Sequence, residues 1–321
     1  MATGQIQLKP AKNLEYLHEI GAVPSPVTAH IVKPMVLSIQ GKRITWEFDF
    51  TIGAINTWRL GNTNILTEPL TFDIYRARTD NDRGCDFGWN WINRRVHQAK
   101  YHVVSSSWAQ KGDVIEVTSK GRIAPPAMNW ALEVNATYRF TADCVTIQVH
   151  GKPTGHLLPR AWGRFGLVTA LKGCGGAKWY GRGPGESYRD KKMSQLVGTW
   201  ELAIDDLMID YEFPQDSGNR TDVRWVEFRG KSDSRTMGPE RLIRARYGDL
   251  PEASFSALPY SAKDLEESKH PYELHDRKRP DTVVRLDWIH HGLGTGSCGP
   301  ETLPKYTLDA SKEYEFVIIL D

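Results

Sequence analysis

The sequence predicts an all-β protein: one large antiparallel β-sandwich with few short helices. Three observations carry this. Segments that alternate apolar and polar residues with period two recur along the chain, as strands do when one face is buried and the other is wet. Helical periodicity is scarce. No βα repeat able to close a barrel is visible. The chain has 321 residues, 40% of them hydrophobic and 25% charged. A globular chain of this size buries roughly three quarters of its unfolded surface without metal or disulfide staples.

Taken in order, residues 1–34 stand apart. Pro10, Pro24, Pro26 and Pro34 interrupt them and no alternation is sustained. Proline is excluded from central strands, so this stretch reads as a linker or the remnant of a preceding β domain, with the sandwich spanning 35–321. Between Arg43 and Ile52, Ile44, Trp46, Phe48, Phe50 and Ile52 share one face against Arg43, Thr45, Glu47, Asp49 and Thr51. Leu132, Val134, Ala136, Tyr138 and Phe140 repeat the pattern, and Val145, Ile147 and Val149 follow after a short turn, which predicts a hairpin. Val284, Leu286 and Trp288 alternate with Arg285 and Asp287. Tyr314, Phe316, Ile318 and Leu320 form the last strand. Short helices are expected near 89–98, 201–209 and 262–269.

The charge balance excludes some classes. Lysine and arginine total 41 against 39 acidic residues, a net charge of +2. No basic excess drives binding to nucleic acid or to an anionic membrane. The cysteines, Cys85, Cys144, Cys174 and Cys298, include no C-x-x-C pair, so neither a structural zinc site nor a disulfide scaffold is expected. No run of about 18 apolar residues predicts a transmembrane helix. The N-terminal residues lack the basic start and apolar run of a signal peptide, so the expected compartment is the cytosol and the two Asn-x-Thr sequons read as chance matches.

Three glycine- and polar-rich stretches lie between strands, where function commonly sits. In the first, Asp80, Asn81, Asp82 and Arg83 place carboxylates, an amide and a guanidinium within four residues. Such groups grip sugar hydroxyls by charge-assisted hydrogen bonds, or else bond their own backbone in an Asx-type turn. A calcium loop is excluded because its twelfth position is Trp91 where a glutamate is required. The second, around Gly181, Gly183 and Gly185, lacks the spacing of a nucleotide loop and reads as a structural turn. The third carries His290, His291, Ser297 and Cys298. Adjacent histidines on a strand face opposite ways and do not share a metal. Of the eleven tryptophans, Trp46 and Trp288 fall on core faces, whereas Trp89, Trp91 and Trp179 flank the polar loops and are the better ligand candidates.

Four stretches occur together and in order: RARTDNDRG at 76–84, WYGRGPGESYRDKK at 179–192, YEFPQDSGNRTDVRW at 211–225 and HHGLGTGSCGP at 290–300. Through them the chain, from about residue 35 onward, resembles the C-terminal, small-subunit domain of the family-two β-galactosidases. The resemblance implies the galactose-mutarotase-like supersandwich fold and hydrolysis of terminal β-D-galactosides such as lactose, with retention. Retaining hydrolysis needs two carboxylates about 5 Å apart. In this family both glutamates, and the magnesium site, belong to a separate barrel domain. No catalytic residue, metal ligand or cofactor is therefore assigned in this chain, and a barrel-bearing large subunit is the implied partner. What the family's domain adds is the active-site rim. Carried over by position, Asp80, Asn81, Asp82, Arg83 and Trp89 beside the pocket, with Ser297 and Cys298 at the aglycone platform, are the implied substrate-binding residues. Some members have a tryptophan after that serine. Cys298 removes this aromatic surface, which weakens the stacking expected for an acceptor sugar. Asp82→Ala is expected to impair the assembled enzyme more than it impairs folding. Two other readings stand beside this one: a stand-alone galactoside-binding module using Trp89, Trp91 and the 80–82 loop, and a mutarotase-like epimerase.

Overall fold

A computed structural model describes residues 26–231, 240–248 and 252–321. Their strands form two nine-stranded antiparallel sheets. The first runs β1 (Thr28–Lys33), β2 (Val36–Gln40), β3 (Ile44–Asp49), β4 (Ala54–Leu60), β6 (Leu66–Asp73), β11 (Arg164–Leu171), β17 (Thr282–His290) and β16 (Ser254–Leu258), with β5 (Thr63–Asn64) hung on β4. The second runs β13 (Leu196–Ala203), β12 (Cys174–Gly183), β14 (Trp225–Gly230), β15 (Arg241–Arg246), β18 (Tyr314–Leu320), β10 (Val145–Gly155), β9 (Trp130–Phe140), β8 (Val114–Ala124) and β7 (Lys100–Lys111). This is the all-β sandwich of two large sheets that the sequence predicts.

The alternating residues meet between the sheets. Trp46 of β3 packs on Phe140 of β9 with ring centroids 5.4 Å apart, and Phe48 meets Tyr138 at 5.0 Å. Trp288 of β17 stacks on Phe316 of β18 at 5.3 Å. The predicted hairpin is β9–β10, in register from Phe140↔Val145 to Trp130↔Gly155.

Several local expectations are corrected. Of the segment 1–34, residues 1–25 lie outside the described residues, but Thr28–Lys33 is not a linker. It pairs with β2 as an edge strand, and the prolines that argued against a strand, Pro26 and Pro34, sit just outside its ends where no ladder hydrogen bond is needed. The β3 strand stops at Asp49. Residues 50–53 turn away, with Gly53 at φ +65°, so Phe50 and Ile52 do not continue it. Residues 201–203 finish β13 before a 3-10 turn at Ile204–Asp206, where a helix was expected. All nine residues of β17 are buried, Arg285 and Asp287 included, because the strand is central in its sheet and the loops bearing Tyr188 and Asp216 cover its outer face. Asp287 is ion-paired with Arg164.

The helices are short, as expected: α1 (Asp80–Arg83), α2 (Asp86–Asn93), α3 (Ala262–Glu267) and α4 (Pro271–His275). The first and last have no counterpart in the sequence reading. Each has a local cause. Thr79 and Asp82 close a capping box around α1, and Pro271 starts α4 with its φ already helical. Among the described residues, no helix is long and apolar enough to cross a membrane.

Candidate functional site

The four family-like stretches, far apart in sequence, converge on one cleft of about 500 Å³. Its walls come from the start of α1, from residues 185–195, from residues 209–216 and from the 293–297 loop. Two larger depressions, about 890 and 820 Å³, lie at strand ends around Ile44 and Leu242 and around Lys100 and Gly155, and no two of these stretches meet there.

Polar side chains tie the loops together. Asn81 donates to the Gly294 carbonyl at 3.2 Å and accepts the Ser297 hydroxyl at 2.8 Å. Gln215 accepts the Asp80 backbone N–H and donates to the Asp80 carboxylate, both at 3.1 Å. Asp190 accepts the backbone N–H groups of Leu293 and Gly294 at 2.9 and 2.7 Å. The α1 turn touches the last loop so closely that a Cβ on Gly84 would stand 2.4 Å from the Gly296 carbonyl oxygen, so glycine is required there.

Of the residues proposed from the sequence, Asp80, Asn81 and Ser297 line the cleft. Asp82 does not. It is 1% exposed, points inward to Arg76 at 3.0 Å, and closes the α1 cap through Thr79. Arg83 lies outside the lining, its guanidinium 4.4 Å over the Phe213 ring. Trp89 is 61% exposed on α2 and does not reach the cleft, and Cys298 is exposed beside Ser297. Trp91 and Trp179 are buried, with their indole N–H groups donating to the Ala161 and Arg182 carbonyls, so neither offers a ring to a ligand. Trp288 is buried as well.

The sequence reading missed the floor. Glu186 accepts the Tyr211 hydroxyl and, at 2.9 Å, the Gly218 N–H. Asp216 accepts the Tyr188 hydroxyl at 3.1 Å and lies 3.6 Å from His290 Nε2. Burial pushes the Glu186 carboxyl above its ordinary range, more than Tyr211 and Gly218 pull it down. Burial also opposes ionisation of Asp216, but His290, Arg76 and Arg285 outweigh it and hold that carboxyl low. The floor therefore pairs a ready carboxylate with a reluctant one. Both residues stand in family-like stretches, the one signal that could have found them. Among the described residues, no three His, Cys, Asp or Glu side chains cluster as metal ligands.

Behind the cleft His291 is fully buried between Phe87 and Trp91, at 4.7 and 5.7 Å. Its Nδ1 accepts the Leu308 N–H at 3.1 Å, so the proton is on Nε2. Burial first, then the Arg76 charge, drive its pKa well below the usual imidazole range. The unfolded imidazole takes a proton below about pH 6.5 while the folded one stays neutral, so folding stability falls on acidification by up to about 1.4 kcal/mol per pH unit from this group. Urea titrations between pH 7 and pH 5 are expected to show a flatter pH slope for His291→Leu than for the parent. Equal slopes would contradict this.

Comparison with known proteins follows the same stretches. A family model described as β-galactosidase small chain matches residues 40–320. The chain is 31% identical over 290 residues to a β-galactosidase of Lactobacillus delbrueckii subsp. bulgaricus, covering 88% of this chain and 27% of that protein. It is 27% identical over 287 residues to a β-galactosidase of Kluyveromyces lactis, covering 87% and 26%. The chain thus spans about a quarter of the length of these relatives. Among solved structures, a galactose mutarotase-like protein from Clostridium acetobutylicum aligns over 93% of this chain and 98% of its own, with a TM-score of 0.48 and 8% identity.

Proposed function

Since the chain belongs to the β-galactosidase small chain family, we propose that it is the part of a family-two β-galactosidase that completes the active-site rim for hydrolysis of terminal β-D-galactosides such as lactose. The observation that carries this reading is the meeting of the four family-like stretches in one cleft, with Asp80, Asn81 and Ser297 on its edge. The catalytic glutamates and the magnesium ion belong, in this proposal, to a barrel-bearing partner or to the remainder of a longer chain. Matching a quarter of each relative's length supports that division of labour. The assembled enzyme would work in the cytosol.

The chemistry left to this chain is positioning. Asp80 and Ser297 present hydrogen-bonding groups at the rim, while Asn81 fixes the α1 turn to the 293–297 loop so that both move as one. The test mixes the purified chain with the barrel-bearing fragment of a family-two β-galactosidase and follows a chromogenic β-galactoside. Activity is expected only in the mixture. Activity of the chain alone, with contaminants excluded, would place a catalytic pair in this sandwich and overturn the proposal. So would a mixture in which the two fragments bind and stay inactive.

A further inference from the structure

Away from the cleft, the depression of about 820 Å³ where β7 begins and β8 ends carries a cluster of cationic side chains. His102 and Arg122 face each other across the β7–β8 ladder, and Lys100 stands two residues before His102, opposite Ala124. The intervening Tyr101 and Ile123 pack into the core, so Lys100, His102 and Arg122 project together from the outer face of the sheet. Side chains directly opposed across a ladder stand about 5 Å apart at Cβ, and same-face neighbours along one strand about 7 Å apart. None of these three side chains makes a hydrogen bond or ion pair with a described residue. No aspartate or glutamate lines the depression. Glu133 stands opposite Arg122 on β9 but outside the lining, with Lys152 of β10 on its other side. The other large depression is the contrast. Its Arg241 and Arg244 are already bonded to Asp321, at 3.3 and 2.7 Å.

The wall around these cations is held in place. In the 125–129 connection, the Asn129 carbonyl accepts the His156 N–H at 2.7 Å and the Pro126 carbonyl accepts the Arg95 guanidinium at 3.2 Å. Trp130 follows it and donates its indole N–H to the Arg94 carbonyl at 3.0 Å. A Cβ on Gly155 would stand 2.4 Å from the Asn129 carbonyl oxygen, so the end of the β9–β10 hairpin closes tightly on this connection. Pro125 and Pro126 stiffen it further. A concave, pre-formed surface of this volume lies within the range of small-molecule sites.

Like charges set side by side on one face of a sheet repel, and an anion between them removes that cost. Arg122 offers a planar fork of donors, Lys100 a point charge and His102 a ring N–H. The two permanent positive charges match a dianion. Donors that converge from two strands suit the tetrahedral oxygens of phosphate. We propose that this depression is a phosphate-binding site, with Lys100, His102 and Arg122 as its donors, taking phosphate free or as a small monoester. It uses no residue of the cleft and does not depend on the β-galactosidase reading.

The test uses the full chain at about pH 7.5, where phosphate is mostly dianionic. Inorganic phosphate and glycerol phosphate are titrated at constant ionic strength and followed by phosphorus NMR line width, with sodium chloride and an oligo-aspartate peptide as separate arms. Saturable binding of at least one phosphate is expected, and the tighter of the two identifies the source as free ion or ester. Arg122→Gln and Lys100→Gln should each weaken it roughly tenfold. Both side chains are exposed, and circular dichroism confirms that the variants fold. If Arg122→Gln does not fold, Lys100→Gln decides. Four results would overturn the proposal: no saturable binding of either phosphate, binding unchanged in the folded variants, chloride competing as well as phosphate, or the acidic peptide binding while neither phosphate does.

Discussion

Asp82→Ala is expected to lower the unfolding free energy by about 3–5 kcal/mol, the cost of leaving one member of a buried ion pair alone. Arg76 and Asp82 are 0% and 1% exposed and meet at 3.0 Å. Arg76 also donates to the Gly292 carbonyl at 3.1 Å, while its Nε and Nη1 already lack partners among the described residues. Deleting the carboxylate strands a desolvated guanidinium and removes the Thr79–Asp82 cap of α1 as well. The sequence expectation ran the other way, placing this residue among the substrate contacts and the damage in activity. Its burial moves the effect to folding. The urea midpoint should fall with the slope of the transition unchanged. Arg76→Met with Asp82→Leu should recover much of the loss, because an apolar pair of similar volume avoids the cost of burying charge. A single-variant loss below about 1 kcal/mol, the range of an exposed pair, would refute the assignment.

How far the site could be read in advance follows from where its information lies. The period-two pattern of 132–149 is local, and β9 and β10 formed where it placed them. Asp80–Arg83 is local too, but its polarity hid a capping box that uses aspartate at the third position where glutamate is the commoner partner. Trp91 and Trp179 flank polar loops in sequence, yet their rings turn into the core and their N–H groups find backbone carbonyls. Arg285 and Asp287 alternate like the wet face of a strand. What covers that face comes from residues 188 and 216, a contact that no window along the chain can contain. The same holds for the cleft floor. Glu186 and Asp216 are 30 residues apart and become neighbours of Asp80 only through tertiary packing. Resemblance to a family marked the right stretches without saying which of their side chains would face one another.

Arg220 is the side chain that ties those stretches together, and Arg220→Met is expected to cost about 3 kcal/mol or more while loosening the cleft wall. The residue is 2% exposed. Its guanidinium donates to the Leu207 carbonyl at 2.5 Å, the Gly218 carbonyl at 2.8 Å and the Pro184 carbonyl at 2.9 Å, which lie in the segments that carry Glu186, Ile209 and Asp216. It also packs 5.5 Å over the Trp179 ring. Two effects oppose each other in the variant. Burial drags this guanidinium down to about 10, despite the nearby Glu186 carboxylate, so removing the cation relieves a desolvation cost. Against that, three carbonyls lose their donor, at about 1–3 kcal/mol each where water cannot replace it. Methionine fills the volume but donates nothing, so the second effect wins. Arg220→Lys should sit between the two, keeping the charge and one or two of the bonds. Urea titration reads the stability. Hydrogen exchange of the amides at 185–188 and 216–219 reads the cleft wall, whose protection should fall in Arg220→Met even under conditions where the β9–β10 hairpin stays protected. Unchanged exchange at those amides would mean that the wall stands without its bracket, and that the geometry presenting Asp216 and Glu186 is held by the strands alone.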